Sequence, residues 1–157
     1  MLRILILCHG NICRSPLAEV LIEAAVAADP LLADAVTVTS AGTSDEHRGE
    51  GMHLNSAAIL SARGLRTTHV ARQFPPAIAA NIDLVLAADQ SNLRNGREII
   101  RMANVQPEIR LIRDFDPAAI GRDLDDPWGY PLAEYERTAA AITAAIPGLL
   151  AELRDRV

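Results

Sequence analysis

The sequence predicts an α/β domain built on a parallel sheet covered by helices on both faces, and three observations carry that reading. Four stretches read as strands, most of them short runs rich in Val, Ile and Leu and bounded by turn-forming residues, the pattern of strands buried on both faces. Longer segments of helical periodicity separate them. Strands alternating with helices require right-handed crossovers, which gives a three-layer α/β/α sandwich with a four-stranded parallel sheet.

Taken in order, the strands are expected at Arg3–Leu7, Val36–Ser40, Ile82–Ala87 and Ile109–Ile112. The first helix is expected over Pro16–Ala28, with proline at its first position, and the second over Met52–Arg63, closed by Gly64. A third follows over Asp89–Ala103. The last begins after Pro131, with an interruption expected at Pro147-Gly148 because proline lacks the N–H that a helix interior needs. No repeat or linker divides the 157 residues, so a single domain over 1–157 is expected. At this length folding buries about 70% of the surface of the unfolded chain.

The composition narrows the function. Half the residues are apolar, yet only five are Phe, Trp or Tyr, so the core must be aliphatic and an aromatic residue in a loop is informative. A net charge of −5 lacks the basic excess that a general nucleic-acid surface needs. All fifteen basic residues are arginine, which excludes a P-loop nucleotide site with its phosphate-binding lysine. The first apolar run, Leu2–Leu7, is too short for a signal peptide core, and no segment approaches the ~20 apolar residues of a membrane span. No membrane association and a cytoplasmic location are therefore expected. Two cysteines separated by four intervening residues make neither a disulfide framework nor a four-ligand metal site.

The chemistry concentrates in the loop after the first strand, "CHGNICRSP", Cys8 to Pro16. Ligands in such sheets bind beyond the carboxyl ends of the strands. A dinucleotide fingerprint is absent, since Gly10 is the loop's one glycine. Gly10 and Asn11 are instead the residues that most readily take positive φ, which would turn the N–H groups of His9, Gly10, Asn11, Ile12, Cys13 and Arg14 toward one centre and make an anion cradle beside a helix N-terminus. The Cys8-to-Arg14 spacing lets the sulfur lie beneath a phosphoryl group while the guanidinium grips two of its oxygens. A helix end and a cation both favour thiolate over thiol, a setting that takes cysteines from about 8.5 into the ~3.5–7.5 range. Ser15 is expected to donate to the sulfur, to cap the helix, or to do both. Cys13 is either core packing or a partner for reversible disulfide formation with Cys8.

This nonapeptide resembles the phosphate loop, C-x5-R-[ST], of the low-molecular-weight protein tyrosine phosphatases. "SAGT" at 40–43, "HVARQF" at 69–74 and "ADQSNL" at 88–93 are similar to stretches that the family carries at corresponding places, so the resemblance runs through nearly the whole chain. It implies metal-independent, cofactor-free hydrolysis of phosphotyrosine in a protein or peptide, with Cys8 as nucleophile and Arg14 as phosphate clamp. It also implies that Ser40 and His69 join Asn11 and Ser15 in a hydrogen-bond network that fixes the loop.

A general acid should protonate the leaving oxygen, and the segment after the fourth strand offers Asp114, Asp116, Asp123, Asp125 and Asp126. Asp116 and Asp126 both precede proline, so the dipeptide does not choose between them. Trp128, the single tryptophan, would give an aryl phosphate a flat wall if it lies in the site. The resemblance points to Asp126, because Asp-Pro followed by an aromatic residue near the last helix is similar to the family's acid motif. One departure is Glu46, where many members carry an aromatic residue on the second wall; with Arg48 it predicts altered peptide selectivity. Arsenate reduction on the same scaffold would need further cysteines. A phosphoarginine phosphatase would resemble this loop with Thr in place of Ile12, and a non-catalytic phosphate-binding module would have no use for Asp126.

Overall fold

The computed structural model describes residues 1–157. Four parallel strands, β1 (Leu2–Cys8), β2 (Val36–Gly42), β3 (Leu84–Ala87) and β4 (Glu108–Leu111), form one sheet in the order β2-β1-β3-β4. The helices are α1 (Arg14–Ala27), α2 (Leu54–Ala62), the short α3 (Pro76–Ala79), α4 (Gln90–Met102) and α5 (Leu132–Arg154), with a 3-10 turn at Ile112–Phe115. From β1 the chain first moves to β2 on one side, then returns to β3 and β4 on the other. The gap beyond the carboxyl ends of β1 and β3 is thus the topological switch point, where open α/β sheets place their ligands.

Strand alternation divides the core between the two faces. Ile4, Ile6, Leu84 and Leu86 point into the larger cluster, with Leu17, Leu21 and Ile22 of α1 and Tyr135, Ile142 and Leu149 of α5. Leu5, Leu7 and Val85 face the opposite way, onto Ile100 of α4 and Phe74. Both faces are therefore covered, as the apolar runs Ile4–Cys8 of β1 and Leu84–Ala87 of β3 require.

Two expectations need correction. The last helix is continuous through Pro147-Gly148. Proline costs a helix interior ~3 kcal/mol, but the segment beyond it buries Leu149 and Leu153 almost completely, each worth ~1.5–3 kcal/mol. Gly148 is what permits this packing, because a β-carbon there would lie 2.1 Å from the Phe115 carbonyl oxygen of the 3-10 turn. Likewise, α1 begins at Arg14 rather than Pro16, with Cys13 in the N-cap position and no side-chain cap. Ser15 therefore does not cap the helix. Gly64 does close α2, at φ +69, with the Leu65 N–H donating to the Leu60 carbonyl.

Candidate active site

The loop 9–13 between β1 and α1 curls around the Cys8 sulfur. Asn11 has φ 58, but Gly10 does not adopt positive φ, contrary to the expectation from its type. The reason for glycine at position 10 is space: a β-carbon would lie 2.9 Å from the His47 ring. The N–H groups of Gly10, Ile12, Cys13, Arg14 and Ser15 donate to no acceptor within the protein, and that of Asn11 donates to Cys8 Sγ at 3.3 Å. Unpaired backbone donors beside a helix N-terminus are suited to holding an anion. Ser15 Oγ lies 3.0 Å from the same sulfur.

Buried hydrogen bonds hold this shape. The Asn11 side chain donates to Ser15 Oγ at 2.8 Å and to Ser40 Oγ at 2.9 Å, and accepts from the Arg72 N–H at 2.9 Å. The Ser40 hydroxyl donates to Glu19, which in turn pairs with Arg66 at 2.7 Å. His69 Nε2 donates to the Asn11 carbonyl at 2.6 Å, and burial holds the imidazole below its ordinary pKa against the pull of that bond. Asn11 thus bonds directly to Ser15, Ser40 and His69.

Arg14, 3% exposed, donates through one terminal nitrogen to Asp89 and to the Leu124 carbonyl, both at 2.7 Å. Its other terminal nitrogen lies 3.8 Å from Asp126, on the edge left free for an anion. Burial works against the guanidinium charge, yet the neighbouring Cys8, Asp89 and Asp126 outweigh it and raise its pKa. Asp126 itself accepts from the Trp128 N–H at 3.1 Å, an Asx-type turn that points the loop at the cavity. Asp116 also bonds locally, accepting from the Ala118 N–H at 3.0 Å, but stands outside the cavity.

Cys8, His9, Gly10, Ile12, Cys13, Arg14, Glu46, His47, Asp126 and Trp128 line one cavity of about 260 Å³. Cys13 reaches Tyr135 Oη at 3.5 Å, and burial pushes its thiol up to about 11. Glu46 stands on the wall, 3.2 Å from His9 Nε2. Arg48 does not join it: its side chain is exposed and lies outside the cavity, where His47 takes the wall position instead. Sequence reasoning missed Asp89, His47, Glu19 and Tyr135. For Asp89 a signal existed, an N-cap aspartate directly after a strand on the functional edge of the sheet.

A family model described as low molecular weight phosphotyrosine protein phosphatase matches residues 3–157. The chain belongs to this family. A low molecular weight protein-tyrosine-phosphatase of Streptomyces coelicolor is 39% identical over 157 residues, covering 99% of this chain and 95% of the relative. The low molecular weight protein-tyrosine phosphatase A of Mycobacterium tuberculosis is 37% identical over 151 residues, covering 94% and 89%. Among solved structures, YfkJ from Bacillus subtilis superposes with a TM-score of 0.87 at 28% identity, covering 99% of this chain and 96% of that one. A protein tyrosine phosphatase from Entamoeba histolytica shares the fold at the same TM-score and 23% identity, covering 99% and 98%. Within the low molecular weight phosphotyrosine protein phosphatase fold, the cavity beyond β1 and β3 is thus the place where loops from three strands meet.

Proposed function

We propose that this protein hydrolyses phosphotyrosine in proteins and peptides, and small aryl phosphates, through a cysteinyl-phosphate intermediate. The observation that carries the reading is one cavity holding a sulfur, a ring of unpaired N–H groups, a buried guanidinium edge and a carboxyl group. In the first step Cys8 Sγ attacks phosphorus, the S–P bond forms and the P–O bond to the leaving group breaks, while Asp126 gives its proton to the departing oxygen. In the second, Asp126 as carboxylate takes a proton from water, the water oxygen bonds to phosphorus, and the S–P bond breaks to release inorganic phosphate and the thiolate.

Each neighbour has a stated part. Arg14 and the loop N–H groups hold the equatorial oxygens as their charge redistributes, the electrostatic contribution that dominates phosphoryl transfer. Ser15 stabilises the sulfur when it leaves phosphorus. Trp128 and the apolar atoms of Ile12 suit an aromatic leaving group. No step as written uses a metal or a cofactor. No helix is long and apolar enough to cross a membrane. Both cysteines are free, and we place the protein in the reducing cytoplasm, where a nucleophilic thiol persists.

The test is turnover of aryl phosphates with good and poor leaving groups. Cys8→Ser abolishes hydrolysis, whereas Asp126→Ala leaves a slow enzyme whose defect grows as the leaving group becomes more basic. Equal loss across the series would remove Asp126 from the acid role.

A further inference from the structure

The reactive cavity, at about 260 Å³, takes little more than a phosphorylated aromatic side chain, so a peptide's flanking residues must lie on the surface around its mouth. A second cavity of about 660 Å³ adjoins it on the other side of the Asp126-Pro127 segment, and Asp126 lines both. The charged groups around these two openings are unevenly committed. Arg14 is paired with Asp89, Arg113 donates to the Asp123 carbonyl, and Arg137 pairs with Glu134 at 3.3 Å. Asp125, which lines the second cavity and is exposed, has neither an ion pair nor a hydrogen bond. On the opposite wall Glu46 meets His9 through one oxygen alone and is 62% exposed. Each opening therefore carries a carboxylate with bonding capacity to spare; of the arginines, Arg14 and Arg137 have carboxylate partners, whereas Arg113 meets only a carbonyl and its buried Nε has no partner.

We propose that Glu46 and Asp125, one on each side of the reactive cavity, select phosphotyrosyl peptides that carry a basic side chain next to the phosphorylated residue. The inference rests on the phosphatase reading and names its substrate class. An arginine or lysine beside phosphotyrosine gains an exposed ion pair with one of these carboxylates, and an acidic neighbour meets repulsion at the same place. The net charge of −5 adds attraction for basic peptides during encounter. Neither carboxylate touches the phosphoryl group in this account; both act on specificity.

The experiment compares matched phosphotyrosyl peptides with Arg, Gln or Glu on either side of the phosphorylated residue, at low and high salt. The readout is the ratio of kcat/KM for the basic and acidic peptides, with p-nitrophenyl phosphate as a substrate that has no flanks. The wild-type ratio exceeds one, each carboxylate contributes between about 1.4- and 5-fold, and the ratio shrinks with salt. Glu46→Gln lowers it for one flank, Asp125→Asn for the other, and Glu46→Arg inverts it. A ratio of one, or a ratio that none of the variants moves while p-nitrophenyl phosphate is still hydrolysed, overturns the inference and leaves the phosphatase reading standing. Absence of aryl phosphate turnover overturns both.

Discussion

Asn11 is the residue on which the shape of the phosphate loop depends most, and Asn11→Ala is the sharpest test of that dependence. The side chain is fully buried and makes three hydrogen bonds, to Ser15, to Ser40 and from the Arg72 N–H. At about 1 kcal/mol net for each bond, truncation costs about 3 kcal/mol, because two buried hydroxyls and the part-buried Arg72 N–H lose this partner. Alanine at φ 58 adds roughly 1 kcal/mol, since its β-carbon crowds the backbone in the left-handed region. The expected loss is therefore about 4 kcal/mol, a large share of the 5–15 kcal/mol typical of a domain. Urea unfolding of wild type, Asn11→Ala and Asn11→Gly separates the parts: glycine loses the hydrogen bonds but keeps the backbone angle, so it should fall about 1 kcal/mol short of the alanine loss. Phosphate affinity, read by inhibition of aryl phosphate turnover, should weaken in both. A loss under 1 kcal/mol with phosphate affinity unchanged would refute the claim that this amide fixes the loop.

Three further outcomes follow from the geometry. Gly148→Ala forces a β-carbon against the Phe115 carbonyl and should cost ~1–3 kcal/mol by overpacking, visible as a fall of several degrees in Tm, whereas Pro147→Ala should not destabilise. His69 is held below its unfolded pKa, so between those two values the unfolded chain binds more protons; stability is complete above about pH 6.5 and declines as pH falls toward the folded value. His69→Gln should flatten that part of a pH series of unfolding midpoints, and an unchanged slope would assign the effect elsewhere. Cys13, raised to about 11 by burial, should resist iodoacetamide at pH 8 in the folded protein and react on unfolding; rapid labelling of folded Cys13, located by peptide mapping, would contradict the burial argument.

The layered fold was readable because β1 and β3 are mostly Ile, Leu and Val and β2 and β4 carry such residues between turn-forming neighbours, and the sheet edge that carries the site followed from their order. Loop residues with distinctive chemistry, Cys8, Asn11, Arg14 and Asp126, were readable for the same reason that few other residue types could replace them. Glu19 was not: on sequence it is one polar position of α1, and only the return of β2 places Ser40 against it. Tyr135 lies 122 residues from Cys13, and helical periodicity marks it as core without naming its partner. The continuity of α5 was hidden because a helix rule about proline is local, whereas the burial of Leu149 and Leu153 is set by tertiary packing. Gly10 was misread in a comparable way, since a close neighbour and a positive φ leave the same letter in the sequence.

The double grip of the Arg14 guanidinium on Asp89 and on the Leu124 carbonyl has a consequence for redesign. That carbonyl belongs to the residue two positions before Asp126, so the anchor works as a ruler whose length is a dipeptide. Changing side chains downstream of Leu124 retunes the mouth while the carboxyl keeps its reach. Inserting or deleting a single residue between anchor and carboxyl shifts the proton donor by about one residue's length, roughly 3.5 Å, more than a hydrogen bond tolerates. Segments exchanged between relatives in this region should therefore be joined with their spacing from position 124 kept intact.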